Sequence, residues 1–262
     1  MNYSTQRDSS RRPIPLHGPE GFEGMRKAGR LAAQTLDYIA GLIRPGVSTA
    51  ALDAACETFM RDHGGIPATI GYRGYRHASC ISVNHVVTHG IPSPDKILAE
   101  GDILNIDVTP KVDGWHGDTS RMFCVGTVGR LARRLVDTTY AALMAGVGAV
   151  RPGATLGDVG HAIETIARKE RFSIVEDFVG HGVGQVFHDA PDVMHYGKPG
   201  KGVRLEPGMI FTIEPMLNAG RKDVKILPDG WTAVTRDRSL SAQFEHSVGV
   251  TEDGVEIFTL SA

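Results

Sequence analysis

Hydrophobic and polar positions along the chain predict two pairs of helices, one pair in each half. In residues 36–58 and again in 143–165, an amphipathic stretch runs into an Arg-Pro-Gly sequence. Proline removes a backbone donor and clashes with the preceding turn, so a helix should end there. Ser48 in one half and Thr155 in the other can then cap a second helix, whose apolar side chains recur at helical spacing. Each half is therefore predicted to contain two consecutive helices.

The two halves are related by a constant offset of 107 residues. Residues 36–58 shifted onto 143–165 give eight identities in 23 positions. Without a gap, the same offset places one strand-like run on another, and these runs end on Asp107 and Glu214. The pattern predicts a duplicated α+β unit, with an internal repeat over about 36–118 and 143–225 and with helices covering one face of the strands. The two acids would face each other across a pseudo-twofold axis, or would merely end strands near solvent.

Length, charge and cysteine content restrict the class of protein. The 262 residues suffice for one large domain, and the net charge of −2 provides no broad basic field for nucleic acid or an anionic membrane. The longest apolar run, 141–150, is about half of the ~20 residues that a membrane span needs. Three cysteines without paired spacing fit a reducing compartment. We therefore expect a cytoplasmic protein with a flexible polar tail at 1–18 and a single domain at 19–262.

A hairpin signal brings two acidic residues close together. A two-residue turn at Asp113-Gly114 would place Thr109 opposite Asp118. Because side chains alternate between the faces of a strand, Asp107 and Asp118 would then be diagonal neighbours within about 7–8 Å. On its own, such a pair is more often a solvated acidic edge than a binding site.

Two further segments carry ionisable residues inside apolar stretches. His181 lies in the glycine-rich segment 179–188, and Glu245 interrupts an alternating strand at 241–250. Singly, each has an ordinary structural explanation. If four carboxylates converge, however, they must be protonated or neutralised, and two divalent ions would cancel their charge. Four carboxylates and one imidazole suit Mn, Fe or Co better than a cysteine-bound zinc, and two such ions about 3.5 to 4 Å apart can share a hydroxide for attack on a carbonyl.

Five ordered segments resemble the type I methionine aminopeptidases, in their bacterial form. They are 105–109, 117–120, 180–182, 211–216 and 241–246, within a resemblance that covers about residues 21–260. The resemblance implies the pita-bread fold of the M24 metallopeptidases, in which two pseudo-symmetric halves with antiparallel sheet and covering helices enclose a dinuclear metal site. It also implies removal of the initiator methionine from nascent proteins when the second residue is small.

The resemblance assigns roles to individual residues. Asp107 would chelate one metal, and Asp118 and Glu245 would bridge both. His181 and Glu214 would complete the shell of the second metal, and Glu214 would also act as the general base. Two further catalytic residues are implied: His188 would stabilise the oxyanion, and His89 would contact the substrate near the scissile amide.

The resemblance also implies the remaining binding sites. A methionine pocket would be formed, together with His89 and His188, by Tyr72, Tyr75, Cys80, Phe187, Met216 and Trp231. Many bacterial members have a cysteine where this chain has Thr69, which bears on the shape of that pocket. A monovalent Na or K ion would be held by Asn84, Val86 and Ser241. The implied partners are N-terminal methionyl peptides and nascent chains, and the implied assembly is a monomer. Separately from the resemblance, the basic, proline-containing tail would either contact the ribosome or remain solvated and disordered. Zinc is less expected than Mn, Fe or Co.

Two rival functions fit the same fold. A proline peptidase typically brings an additional amino-terminal domain, whereas fewer than 25 residues precede the segment that resembles the family. A non-catalytic binding platform would lose metal ligands, whereas all five are retained. Within the methionine aminopeptidases, the 32 residues between His181 and Glu214 are too few for the helical insert of type II enzymes.

Overall fold

The helices occur in two consecutive pairs. In the computed structural model, which describes residues 2–261, they are α1 (Pro19–Ala40), α2 (Thr49–Asp62), α3 (Arg130–Gly148) and α4 (Leu156–Lys169). The Ser48 hydroxyl accepts the Ala51 amide at the start of α2, and the Thr155 hydroxyl accepts the Asp158 amide at the start of α4. Both predicted caps are confirmed. The first helix of each pair ends a few residues before its Arg-Pro-Gly sequence.

The strands of the described chain form six small antiparallel sheets. In chain order the strands are β1 (Asn2–Arg7), β2 (Pro13–Leu16), β3 (Ile66–Pro67), β4 (Ser79–Val83), β5 (Val86–Thr88), β6 (Ile103–Val108), β7 (Pro110–Val112), β8 (Trp115–His116), β9 (Thr119–Cys124), β10 (Ser173–Ile174), β11 (Gly180–Gly182), β12 (Asp189–Val193), β13 (Ile210–Ile213), β14 (Met216–Asn218), β15 (Val224–Ile226), β16 (Ala233–Thr235), β17 (Ser241–Gln243), β18 (His246–Val250) and β19 (Val255–Ile257). Within the sheets, the strand orders are β1-β2, β3-β7-β8, β4-β6-β9, β10-β14-β17, β12-β11-β13-β18-β19 and β15-β16-β5. One short 3₁₀ helix, Tyr72–Gly74, precedes β4. No helix in residues 2–261 combines the length and the apolar character that a membrane crossing requires.

Equivalent backbone contacts recur in the two halves at the 107-residue offset. The Gly46 amide donates to the Leu98 carbonyl at 2.8 Å, and the Gly153 amide donates to the Leu205 carbonyl at 2.9 Å. The two glycines have φ values of +89° and +82°, which explains why glycine follows Arg-Pro in both copies. The halves therefore share a local backbone conformation as well as a sequence pattern.

Each helix pair covers a hydrophobic cluster, and the cluster under the second pair also includes side chains of β6 and β9 from the first half. In the first half, Leu36, Leu52 and Met60 of α1 and α2 are buried in one cluster with side chains of β4 and β6. In the second half, Leu143 and Ile163 of α3 and α4 pack in a larger cluster with side chains of β13 and β18. Both halves thus place a helix pair against antiparallel strands, as the α+β prediction requires.

Buried hydrogen bonds join the two halves beside the predicted ligands. The Glu245 amide donates to the Ser120 carbonyl at 3.0 Å, and the Thr119 hydroxyl donates to the Glu245 carbonyl at 2.6 Å. The Ser247 hydroxyl donates to the Asp118 carbonyl at 2.7 Å. An acid of the first half and an acid of the second half are therefore held at the same junction.

The expectation of a flexible tail at 1–18 is wrong for the residues that the structure describes. Strands β1 and β2 form an antiparallel hairpin, and Ile14 of β2 is 0 % exposed within the core of the second half. The Arg12 guanidinium donates to the carboxylates of Asp8 and Asp192, each at 2.6 Å. Polar composition suggested disorder, but Arg12 has one partner within the hairpin and another 180 residues away, which attaches the hairpin to the second half.

Candidate active site

The predicted hairpin positions the two acids of the first half. Asp113 and Gly114 form the turn between β7 and β8 with φ values of +50° and +89°. This places the Thr109 hydroxyl on Asp118, to which it donates at 2.7 Å. Asp107 lies on the neighbouring strand β6. The hairpin and its register are confirmed, and both carboxylates reach the same cavity.

Close backbone packing positions the imidazole of the second half. His181 is the central residue of β11, between two glycines. A Cβ on Gly182 would lie 1.9 Å from the Ala190 carbonyl oxygen, and a Cβ on Gly180 would lie 2.5 Å from the Thr212 carbonyl oxygen. Glycine at these positions therefore lets the neighbouring strands approach β11 from both sides, which fixes the direction of the imidazole.

The two remaining acids lie at the ends of strands. Glu214 directly follows β13, and Glu245 lies between β17 and β18. The sequence pattern predicted one alternating strand over 241–250, whereas the chain forms two strands that meet at Glu245. The interruption allows Glu245 to bond across to the first half.

All five predicted metal ligands line one cavity of about 390 Å³. One ligand atom from each of Asp118, His181 and Glu245 lies within 4.8 Å of the others. The His181 Nε2 atom is 3.5 Å from Asp118 Oδ2 and 3.7 Å from Glu214 Oε1. Asp107 Oδ1 is buried and has no hydrogen-bond partner among the described residues. The convergence of the two halves on one site is thus observed.

Burial and mutual repulsion disfavour the charged forms of these acids. Burial raises the pKa of Asp107, Glu214 and Glu245 well above the usual range, and the neighbouring Asp118 charge raises all three further. Burial also raises the pKa of Asp118. The cluster therefore requires protons or cations to compensate its negative charge.

The protonation state of His181 indicates whether protons or a metal cation would compensate the negative charge of the four acids. Burial lowers the pKa of His181 to about 4, so the ring is neutral at pH 7. Its Nδ1 atom is 3.0 Å from the Gly182 carbonyl oxygen and must be the N–H donor. The lone pair of Nε2 then faces the oxygens of Asp118 and Glu214. A lone pair and carboxylate oxygens pointing at a common space form the donor set of a divalent cation.

Further contacts hold Glu214 in place, and sequence reasoning did not identify them. The Thr212 hydroxyl donates to Glu214 Oε1 at 2.7 Å, and the Gln243 amide donates to Oε2 at 3.3 Å. The Glu214 backbone amide donates to Nε2 of the fully buried His195 at 3.0 Å. Gln243 lies inside one of the recognised segments, whereas no local pattern in the sequence distinguished His195.

Aromatic and sulfur-containing side chains form the walls of the cavity. Tyr75 and Trp231 meet edge to face with centroids 5.0 Å apart, and Cys80 lies beside them. On another wall, Tyr72 stacks on His188 at 4.9 Å. Phe187 and His89 complete the predicted lining that the structure brings together.

Met216, the remaining residue predicted for the methionine pocket, does not line the cavity. It is 0 % exposed and packs in a buried cluster with Val87, Val175 and Ala233, so it is not among the residues that line the cavity. Its side chain belongs to the core beneath the wall. The cavity also contains residues that the sequence did not single out: Arg73, Thr88, Asp177, Phe178 and Val179.

The two predicted catalytic histidines are neutral. Burial lowers the pKa of His89 to about 4, and its ring meets Phe178 edge to face at 5.5 Å. Loss of surrounding solvent lowers the pKa of His188, and the nearby His181, His89 and Arg73 lower it further. Neutral imidazoles can each present one N–H to the cavity.

The residues predicted to bind a monovalent ion lie near one another. The Asn84 carbonyl accepts the Ser241 amide at 2.8 Å, and Val86 pairs with Val234 across β5 and β16. Asn84 adopts a φ of +56°. A bound Na or K ion at this position stays a prediction.

Comparisons with known proteins agree with this geometry. The model of metallopeptidase family M24 matches residues 23–252. The chain is 53 % identical to a methionine aminopeptidase of Rickettsia prowazekii over 95 % of this chain and 96 % of the relative, and 48 % identical to that of Escherichia coli K12 over 94 % of each.

Solved structures show the same fold. The crystal structure of the Rickettsia prowazekii methionine aminopeptidase superposes with a TM-score of 0.93, covering 94 % of this chain and all of that one. The methionine aminopeptidase of Thermotoga maritima gives 0.93 at 38 % identity, covering 94 % of this chain and 99 % of that one. The prolidase of Pyrococcus furiosus, 22 % identical over 94 % of this chain and 66 % of that one, shares the fold with a TM-score of 0.77. The predicted pita-bread architecture is confirmed, and the chain belongs to metallopeptidase family M24, among its methionine aminopeptidases.

Proposed function

We propose that this protein hydrolyses the first peptide bond of chains that begin with methionine, releasing free methionine when the second residue is small. The observation that carries the proposal is the single cavity in which five oxygen and nitrogen ligands adjoin an aromatic and sulfur-lined wall. Such a wall suits an unbranched thioether side chain. The similarity to methionine aminopeptidases along almost the whole chain supports the same activity.

The five convergent side chains fit a pair of divalent ions. Asp107, Asp118, His181, Glu214 and Glu245 would hold them. When bound, such ions polarise the scissile carbonyl and make water a stronger acid. The oxygen-rich set favours Mn, Fe or Co over Zn, and a Na or K ion near Asn84 would be an additional structural ion.

The protein's own groups would position the substrate and move protons. Glu214, fixed by Thr212 and Gln243, would accept a proton from the attacking water at its carboxylate. The neutral rings of His188 and His89 would each donate an N–H, the first to the developing oxyanion and the second to the substrate near the scissile amide. The aromatic wall would exclude water from the methionine side chain.

The expected substrates and compartment follow from this activity. The partners would be methionyl peptides and nascent chains at the ribosome, in the cytoplasm, where the three free cysteines would remain reduced. The protein would act as a monomer, since one chain supplies every residue of the cavity described above. Any ribosomal contact through the amino-terminal segment would involve the folded hairpin rather than a flexible tail.

The decisive experiment measures release of free methionine from Met-Ala-Ser and Met-Lys-Ser. Protein stripped with a chelator should be inactive, and added Mn²⁺ or Co²⁺ should restore cleavage of Met-Ala-Ser but hardly any cleavage of Met-Lys-Ser. Failure of every metal to restore cleavage of Met-Ala-Ser would refute the proposal. Cleavage of Ala-Pro in preference to Met-Ala-Ser would indicate a proline peptidase instead.

A substitution separates catalysis from folding in the same assay. Glu214→Gln should reduce turnover by at least a hundredfold, because it removes both a metal ligand and the proton acceptor. Thermal unfolding of the metal-free variant should remain close to that of the metal-free parent, since the amide keeps the shape of the side chain. Near-normal turnover would remove Glu214 from the assigned role.

A further inference from the structure

One cation lines the substrate cavity without an ion-pair partner. Arg73 is exposed, and no carboxylate among the described residues forms a salt bridge with it. It lies in the short 3₁₀ helix with a φ of +48°, between Gly71 and Gly74 at +88° and +87°. Its guanidinium carbon is 5.4 Å from the centre of the Tyr72 ring. The charge is therefore held beside a cavity wall.

The position of this wall indicates which part of a substrate Arg73 would meet. Tyr72, which the resemblance places in the methionine pocket, contacts Phe187 of that pocket at 5.0 Å and also stacks on His188 at 4.9 Å. Its ring therefore adjoins both the pocket and the group proposed to act at the scissile bond. The buried residues expected around the methionine side chain, Tyr75 and Cys80, are 4 % and 7 % exposed. Arg73 thus lies on the open side of the cavity, near the group proposed to act at the scissile bond. If the methionine side chain occupies the buried wall at Tyr75 and Cys80, the residues after that bond must extend toward this open side.

We infer that Arg73 determines specificity for the residues after the scissile bond, favouring peptides that carry a carboxylate at the third position. The inference rests on the proposed aminopeptidase function and deepens it. A guanidinium presents several N–H donors to a carboxylate, and an unpaired one sacrifices no existing ion pair when it binds. Asp177 brings a negative charge to the same cavity, so removing it should strengthen the preference.

The test compares kcat/KM for amidated peptides Met-Ala-Glu-Ser, Met-Ala-Gln-Ser and Met-Ala-Lys-Ser. The glutamate peptide should be cleaved about two- to fivefold more efficiently than the lysine peptide, the range expected of an exposed charge pair. In Arg73→Gln this ratio should fall to near one, whereas Arg73→Lys should retain most of it. Because exposed charges are screened, 0.5 M NaCl should also reduce the ratio in the parent protein.

A matched control lies three residues along the same loop. Arg76 is exposed but does not line the cavity, so Arg76→Gln removes the same charge and should leave the ratio unchanged. Asp177→Asn should raise the ratio. Circular dichroism and thermal unfolding of each variant show whether the fold is intact.

The outcomes separate the inference from the function on which it rests. Equal ratios in the parent and in Arg73→Gln, or a similar loss in Arg76→Gln, would overturn the role of Arg73 while methionine release continued. If the ratio changed in Asp177→Asn but not in Arg73→Gln, the role of Arg73 would be overturned as well. If no Met-Ala peptide released methionine, the proposed function itself would fail, and the inference with it.

Discussion

Truncating Ile14 tests whether the amino-terminal hairpin is part of the folded domain. Ile14 lies in β2, is 0 % exposed and belongs to the hydrophobic core of the second half. Replacing it with alanine removes three carbon atoms from a packed environment. The lost burial and the remaining cavity both destabilise the folded state, because neighbouring side chains relax only partly.

The expected magnitude follows from this burial. An isoleucine-to-alanine change in a packed core costs about 2–5 kcal/mol of unfolding free energy. For a domain of this size, each kcal/mol lowers the melting temperature by about 2–4 °C. The Ile14→Ala variant should therefore melt roughly 4–20 °C below the parent. A residue in a solvated tail would give no such change, since it would be exposed in both states.

The assay is urea unfolding followed by circular dichroism, with matched thermal scans of metal-free protein. Ile66→Ala is the control, because Ile66 is 60 % exposed and the same atoms are removed from solvent rather than from the core. Its unfolding midpoint should differ little from that of the parent. Equal midpoints for Ile14→Ala and Ile66→Ala would refute the packed hairpin and restore the flexible tail.

Three further changes test other contacts. Gly182→Ala would place a Cβ 1.9 Å from the Ala190 carbonyl oxygen, so it should cost about 1–3 kcal/mol in urea unfolding. It should also weaken Mn²⁺ binding in calorimetry, because it would displace His181, the proposed imidazole ligand. Asp53→Ala should cost about 1–3 kcal/mol, because the Ser79 amide and hydroxyl donate to this carboxylate at 2.8 and 2.7 Å; an unchanged urea midpoint would contradict this. Hydrogen bonds from two backbone amides and one hydroxyl lower the pKa of Asp158 below 3.8, so the stability lost in Asp158→Ala should be full above about pH 4 and shrink as the pH falls; a loss independent of pH would argue against it.

Local signals in the sequence predicted much of the fold. The caps at Ser48 and Thr155 and the turn at Asp113-Gly114 each depend on a few neighbouring residues, and the structure confirms all three. The 107-residue offset also placed Asp107 and Glu214 at equivalent strand ends. A repeat has this predictive value because two copies of one sequence pattern favour the same local conformation.

These local signals could not predict contacts between residues that are far apart in the sequence. Arg12 pairs with Asp192, 180 positions away, and no pattern in the first 18 residues predicts this partner. His195 is likewise recognisable only once the chain brings its ring to the Glu214 amide. Met216, expected in the pocket from the resemblance, lies in the core, because its strand directs the side chain to the layer below. Contacts between distant segments determine where these three side chains lie, and neither composition nor local spacing describes such contacts.

The candidate metal site depends on the same long-range convergence. Asp118 and Glu245 belong to different halves, and the hydrogen bonds of Ser120 and Ser247 hold them together. Without ions, closing the halves at neutral pH must either bury repelling carboxylates or protonate them, and both cost free energy because burial raises their pKa. Ions that bind only the closed form would stabilise it by an amount set by their concentration and affinity. The junction between the halves is therefore the region whose stability should depend most on metal, while the separate hydrophobic cores of the two helix pairs do not require it.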